Sequence, residues 1–213
     1  MEKKTDFKAL STKAKIDYIK DYYKWHIFGV VAVIALISYL IYHYATYRDP
    51  LLNVIMINCN DPFTVDDSGY SEFLEAYDYD PKEYPISLNA SLQFSDEDPS
   101  LTYSDSQVLT AMVATGDQDL FFGTGNTFLD YAGSGALVDL STVLPEEVLE
   151  KYADHIIYST DDGAASAYPC AIELTDNEWV QKYNYYDTCY FGIFYQNQNI
   201  EACTQFAEFL LNY

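Results

Sequence analysis

The stretch Leu51-Leu52-Asn53-Val54-Ile55-Met56-Ile57-Asn58 (LLNVIMIN) lies between Asp49-Pro50 and Cys59-Asn60-Asp61-Pro62. A short apolar run, rich in branched residues and bounded by turn formers, reads as a strand buried on both faces of a sheet. Downstream the signal alternates. Asp67 or Ser68 is placed to cap a helix whose apolar face is Tyr70, Phe73, Leu74 and Tyr77. Ile86 to Phe94 (ISLNASLQF) alternates as a second strand, and Ser104-Asp105-Ser106-Gln107 reads as a capping box opening a helix that carries Val108, Leu109, Met112 and Val113. Asp119 to Phe122 makes a third, very short strand ending in Gly123-Thr124-Gly125.

After it come a helix near Thr127 to Ala132, the segment Gly135 to Leu140, and a helix starting at Pro145 with Glu146 and Glu147 in its first turn. Ser159 to Ser166 reads as a hairpin or loop, and Tyr168 to Leu174 as a strand leading to a connection that contains Trp179. Cys189 to Tyr195 (CYFGIFY) is a last strand. Asn199 then caps a last helix with Ile200, Cys203, Phe206, Ala207, Leu210 and Leu211 on one face. Strand-helix alternation predicts an α/β domain with a mainly parallel sheet flanked by helices.

Upstream of this domain, Trp25 to Tyr47 runs for 23 positions without Asp, Glu, Lys or Arg. A helix of that length reaches roughly 35 Å, enough to cross a hydrocarbon core of about 30 Å. Seven lysines precede the run and only Arg48 follows it closely, which predicts a cytoplasmic N-terminus and an extracellular remainder. Tyr18, Tyr22, Tyr23 and Trp25 at one end, and Tyr39, Tyr42, Tyr44 and Tyr47 at the other, form the aromatic belts of a spanning helix. A cleaved signal is the competing reading, but His43-Tyr44-Ala45-Thr46-Tyr47 has no small-x-small site and no lipidation cysteine. The expected organisation is a cytoplasmic juxtamembrane segment over 1–24, with a short helix, a transmembrane helix over 25–47, and an extracellular domain over 48–213.

Residues 48–213 hold 29 acids against Arg48, Lys82, Lys151 and Lys182, a net charge of about −25. Such a field repels polyanions and excludes nucleic acid as a partner of this part, while tolerating cationic ligands. Fifteen tyrosines and many Phe, Leu and Ile in the same part supply a core, so acidity does not imply disorder. Cys59, Cys170, Cys189 and Cys203 are too widely spaced for a CxxC redox or zinc site. They leave open one or two disulfides or free buried thiols.

Ala114-Thr115-Gly116-Asp117-Gln118-Asp119-Leu120-Phe121-Phe122-Gly123, followed by Phe128 to Tyr131, Gly135-Ala136-Leu137-Val138-Asp139-Leu140 and Leu144-Pro145-Glu146-Glu147, resembles the first lobe of extracellular solute-binding proteins of ABC importers, especially the carbohydrate-binding kind. Phe191-Gly192-Ile193 with Asn199 and Ala202 to Leu211 is similar to that family's strand and closing helix. The resemblance implies a small solute such as a sugar as ligand, and an ABC permease or other membrane protein as partner. It covers one lobe only, whereas the family traps solute between two. That departure admits the alternative of a lobe serving as a cell-surface interaction or scaffold module.

Ligands of open α/β sheets lie beyond the carboxyl ends of the strands. This singles out Asn58 and Asp61 after the first strand and Gly123, Thr124, Asn126 and Thr127 after the third, with Tyr168 and Trp179 as aromatic platforms for a sugar. The competing reading makes the glycines turn formers and Asn126 a helix cap. Gly123 to Asn126 lacks the phosphate-loop and dinucleotide patterns, and no cofactor is expected. Asp66-Asp67-Ser68-Gly69 and Asp96-Glu97-Asp98 gather carboxylates without EF-hand spacing. His155 is the only histidine beyond residue 47 and has no nucleophile near it in sequence, so a non-catalytic protein is expected.

Overall fold

The computed structural model describes residues 11–95, 99–159 and 167–213. The chain divides after Tyr47 into two units. The first holds α1 (Thr12–Tyr22) and α2 (Lys24–Thr46). All of α2 is solvent-exposed, and at 23 residues it is long and apolar enough to cross a membrane. Near its end the His43 ring stacks on Tyr39, with centroids 6.1 Å apart, and meets Tyr44 and Tyr47.

The second unit is a helix-sheet-helix sandwich. Its strands β1 (Leu52–Ile57), β2 (Ile86–Leu92), β3 (Leu120–Gly123), β4 (Ile156–Tyr158), β5 (Pro169–Thr175) and β6 (Thr188–Ile193) form one sheet in the order β2-β1-β3-β6-β5-β4. β1 pairs parallel with β2 and β3, but β3–β6, β6–β5 and β5–β4 are antiparallel. The sheet is therefore mixed, not mainly parallel. The run Cys189–Phe194, most of it in β6, is apolar because it is buried on both faces, and that property is blind to strand direction; Tyr195 beyond it is exposed. The expected loop at 159–166 lies, apart from Ser159, outside the described residues.

Alternation along the central strands feeds two cores. Val54, Met56, Leu120 and Phe122 face α3 (Ser68–Ala76), α7 (Glu178–Lys182) and α8 (Ile200–Leu211). There Phe206 packs against Tyr70, Phe73, Phe122 and Trp179, with ring centroids 5.2 to 6.2 Å apart. Ile55, Ile57 and Phe121 face α4 (Pro99–Thr115) and α5 (Gly125–Gly133), where Phe121 stacks on Phe128 at 4.6 Å and on Phe194 at 5.0 Å. A short helix, α6 (Glu146–Lys151), follows Pro145. The α8 cap is the expected one, Asn199 Oδ1 accepting from Ala202 N.

Two expected caps are replaced. α4 begins at Pro99, so Ser104–Gln107 lies inside the helix, where Asp105 accepts from Gln93 N and Ser106 donates to Thr102 O. Asp67 occupies the α3 cap position without a side-chain bond, and Asp66 accepts from the Ser68 amide and hydroxyl instead. Those bonds lower the Asp66 pKa. All four cysteines are free and buried. Cys59, Cys189 and Cys203 line one core and Cys170 the other.

β2 is an open edge. Its outer face is polar at Ser87, Asn89 and Ser91, and the ladder with β1 is irregular between Ile55 and Ile57. Asn89 Oδ1 accepts from both the Ser91 amide (3.1 Å) and its hydroxyl (2.8 Å), so the side chain satisfies an edge donor locally.

Candidate functional site

β1, β3 and β5 finish at the same end of the sheet, where β6 begins. Asn58, Asp61 and Thr124 lie on loops at that end, with Gly123 closing β3 and Asn126 and Thr127 in the first turn of α5. Asn58 adopts a left-handed backbone (φ 54°), which asparagine tolerates better than most residues. Its side chain is consumed internally. Oδ1 accepts from Phe94 N at 2.6 Å and Nδ2 reaches Thr124 O at 3.5 Å, while its own amide donates to Leu92 O. One carboxamide thus ties together the ends of β1, β2 and β3 instead of facing a ligand.

Gly123 is buried for packing, since a Cβ there would lie 2.4 Å from Ile57 Cγ1 and 3.2 Å from the Phe128 ring. Gly125 supplies a positive φ of 79° at the entry to α5. Asn126 is exposed in the first turn and its side chain makes no hydrogen bond with a described residue; the cap position belongs to Thr124. Thr127 follows it, half-buried.

Tyr168 does not join these loops. It precedes β5, at the opposite end of the sheet, and donates to Leu137 O at 3.2 Å. Trp179 is fully buried and donates Nε1–H to Gly69 O at 3.1 Å, so its ring is a core element and no sugar platform. Asp96-Glu97-Asp98 lies outside the described residues. Among the described residues no cluster of three His, Cys, Asp or Glu is placed to hold a metal ion. His155 closes a short helical turn over Ala153–His155.

At the same end is a feature that sequence reasoning missed. Asp61 Oδ1 accepts from Phe63 N and Asp61 O from Thr64 N, a closed turn that leaves Phe63 95% exposed. Aromatic residues are read as core by default, and only the flanking Asp61-Pro62 turn signal pointed the other way. Exposed carboxylates of Asp61, Asp66 and Asp67 lie on the same connection between β1 and α3; Asp176 follows β5, Asp187 precedes β6, and Glu178 opens α7. Lys182 is paired with Glu72 at 2.6 Å and Lys151 donates to Leu211 O at 2.7 Å.

Burial raises the pKa of Tyr70, Tyr185 and Tyr186 beneath these loops, and of Cys59, Cys189 and Cys203; it lifts Cys170 to about 11. These phenols and thiols are neutral at physiological pH and chemically quiet. One concavity, of about 690 Å³, adjoins the Phe63 turn and runs beside the β2 edge between Pro62–Asp67 and Met112. Another, of about 220 Å³, lies at the far end of the sheet between Val113–Ala114, Gln118, Gly135–Ala136 and Phe194–Gln196. No protein-family model, curated protein or solved structure matches the chain.

Proposed function

We propose that this chain is a single-pass, membrane-anchored, non-catalytic recognition protein whose 48–213 domain docks a cationic protein partner through Phe63. In this reading α2 spans the bilayer, the lysines before it keep the N-terminus cytoplasmic, and the acidic domain is extracellular. Within the same reading, residues 48–213 form one lobe related to those of carbohydrate-type solute-binding proteins. Its partner is a membrane or envelope protein with a basic surface around an apolar pocket.

The observation that carries the reading is the 95% exposed Phe63, presented on a hydrogen-bonded turn of a strongly acidic domain. A large aromatic held outward by a closed turn has the form of an interface anchor, with little conformational entropy left to lose on docking. The excess of acids over bases in residues 48–213 favours basic partners and accelerates their encounter. The internal use of the Asn58 carboxamide weighs against a solute site at these loops.

A photo-crosslinking amino acid at position 63 of the full chain, expressed in its native host, tests this. The expected result is one discrete adduct, absent when the crosslinker is at exposed position 82. Once identified, that protein should bind the purified chain in a salt-sensitive manner, and Phe63→Ala should weaken binding by about tenfold or more. Absence of a position-specific adduct, or affinity indifferent to Phe63→Ala, overturns the proposal.

A further inference from the structure

We infer, on the reading that α2 spans the bilayer with its N-terminus in the cytoplasm, that the start of this helix holds one anionic phospholipid, its phosphate between Lys20 and Lys24 and an acyl chain along Ile27, Phe28 and Val31. A groove of about 520 Å³ runs along one side of the first unit, lined by Ile16, Lys20, Lys24, Ile27, Phe28 and Val31. These positions succeed one another in steps of three and four, so α1 and α2 contribute to one face across the bend at Tyr23.

The order of side chains along the groove selects the occupant. Two ammonium groups stand where α2 begins, and apolar side chains follow toward the middle of the span, the same order in which a phospholipid carries its charge and its chains. Lysine stems lie along apolar surface while their ammonium groups reach the head-group layer. Among the described residues neither ammonium makes an ion pair or a hydrogen bond, and Asp17, about one turn before Lys20, pairs with neither. The first turn of α2 holds no acid and Tyr23 makes no side-chain cap, so the positive end of the helix acts on an anion in the same sense as the lysines. A zwitterionic head group brings its own cation to the same place, and therefore loses to one of net negative charge.

Such a site asks for more than topology does. Keeping the N-terminus in the cytoplasm needs only an excess of lysines before the span, wherever they point. Gripping a head group needs lysines about one turn apart on the face that also carries the groove. Lys20 and Lys24 meet that condition, whereas Lys13 and Lys15 line no part of it. The Trp25 ring meets Phe28 edge-on at 6.4 Å and steadies the apolar wall.

The test is quenching of tryptophan fluorescence in the full chain, reconstituted in phosphatidylcholine vesicles that contain either phosphatidylcholine or phosphatidylglycerol with dibrominated acyl chains. Trp25, 74% exposed, is the reporter, and fully buried Trp179 gives a background that Trp25→Phe measures. Phosphatidylglycerol should occupy the site about fivefold or more in preference to phosphatidylcholine. Lys20→Gln with Lys24→Gln should bring the two lipids to parity, while quenching by brominated phosphatidylcholine persists and shows that the helix still inserts. Lys13→Gln with Lys15→Gln, an equal loss of charge, should leave the preference in place. Equal quenching of the wild type by both lipids overturns the inference and leaves α2 a spanning helix. So does a preference that the Lys20 and Lys24 changes fail to remove, or that both pairs of changes reduce alike. Quenching by neither lipid removes the spanning reading, and the inference with it.

Discussion

The carboxylate of Asp119 accepts the backbone amide of Gln198 at 2.7 Å, binding the start of β3 to the loop that leads into α8, 79 positions further along the chain. Its other oxygen accepts from Asn53 N at 2.7 Å, and its own peptide group pairs with Asn53 O and Phe194 N. A single buried acid thereby joins β1, β3 and the exit of β6. Asp119→Ala should leave two amides without their acceptor and lower stability by about 3 kcal/mol, given about 1–3 kcal/mol for each unmet buried donor. Guanidinium unfolding of the full chain, followed by near-ultraviolet dichroism, measures it, and a loss below 1 kcal/mol contradicts the clamp.

Asn58 contributes both a left-handed backbone and a cross-strand carboxamide. Asn58→Gly keeps the first and loses the second, whereas Asn58→Ala loses both. Alanine should therefore be the more damaging by about 1 kcal/mol, the ordinary cost of the left-handed region for a residue with a Cβ. The reverse ranking in the same unfolding assay would remove backbone strain from the account.

At Gly123 the question is packing against ligand contact. The Cβ of Gly123→Ala would overlap Ile57, and overpacking typically costs about 1–3 kcal/mol. Pairing it with Ile57→Ala, which removes the Cγ1 that the new methyl would strike, should recover part of the loss. A non-additive double-mutant cycle identifies the contact; strict additivity denies it.

Glu72, Lys182 and Tyr213 form a surface network, with Tyr213 Oη donating to Glu72 Oε2 at 2.7 Å and Lys182 Nζ donating to Glu72 Oε1 at 2.6 Å and to Tyr213 Oη at 2.7 Å. The Lys182 and Tyr213 bonds hold the Glu72 carboxyl at about 2, below its ordinary 4.5. Ionisation thus favours folding, and the contribution is complete above pH 4.5 and lost as pH falls toward 2. Lys182 is raised from 10.5, chiefly by Glu72, and its share is lost only in alkali above that value. Solvent exposure keeps both effects small. Wild type and Glu72→Gln should differ in melting temperature near pH 6 and converge toward pH 2; a constant gap would assign the effect to packing.

The four thiols are buried and free, and burial raises the pKa of each. The native chain should resist maleimide at pH 7.5 and take up four equivalents once unfolded, without a reductant. Rapid native labelling, or fewer than four equivalents after unfolding, would require a different thiol state.

Strands β1, β2 and β3 were legible because apolar runs bounded by turn residues leave little else to build, and α8 because Asn199 precedes a clean apolar stripe. Direction was not legible. Burial on both faces of β6 gives the same residues whether its neighbour runs with it or against it, and β4 is three residues long, too short for any period. At the site, polar residues after β1 and β3 were expected to face outward. Whether Asn58 does depends on the Phe94 amide, 36 positions away, and such a partner has no local signature. Asp119 was legible only as part of a resemblance, since its role rests on amides from two other elements.

The bond from Asn89 to Ser91 acts on how copies of the chain meet. An exposed strand edge is a template on which a neighbour's backbone can extend the ladder into a polymer. By satisfying an edge amide from within its own strand, next to the irregularity in the β1 ladder, the protein spoils that template where it is most open. A neighbour's strand thus finds one backbone donor fewer at Ser91, which disfavours edge-to-edge growth there.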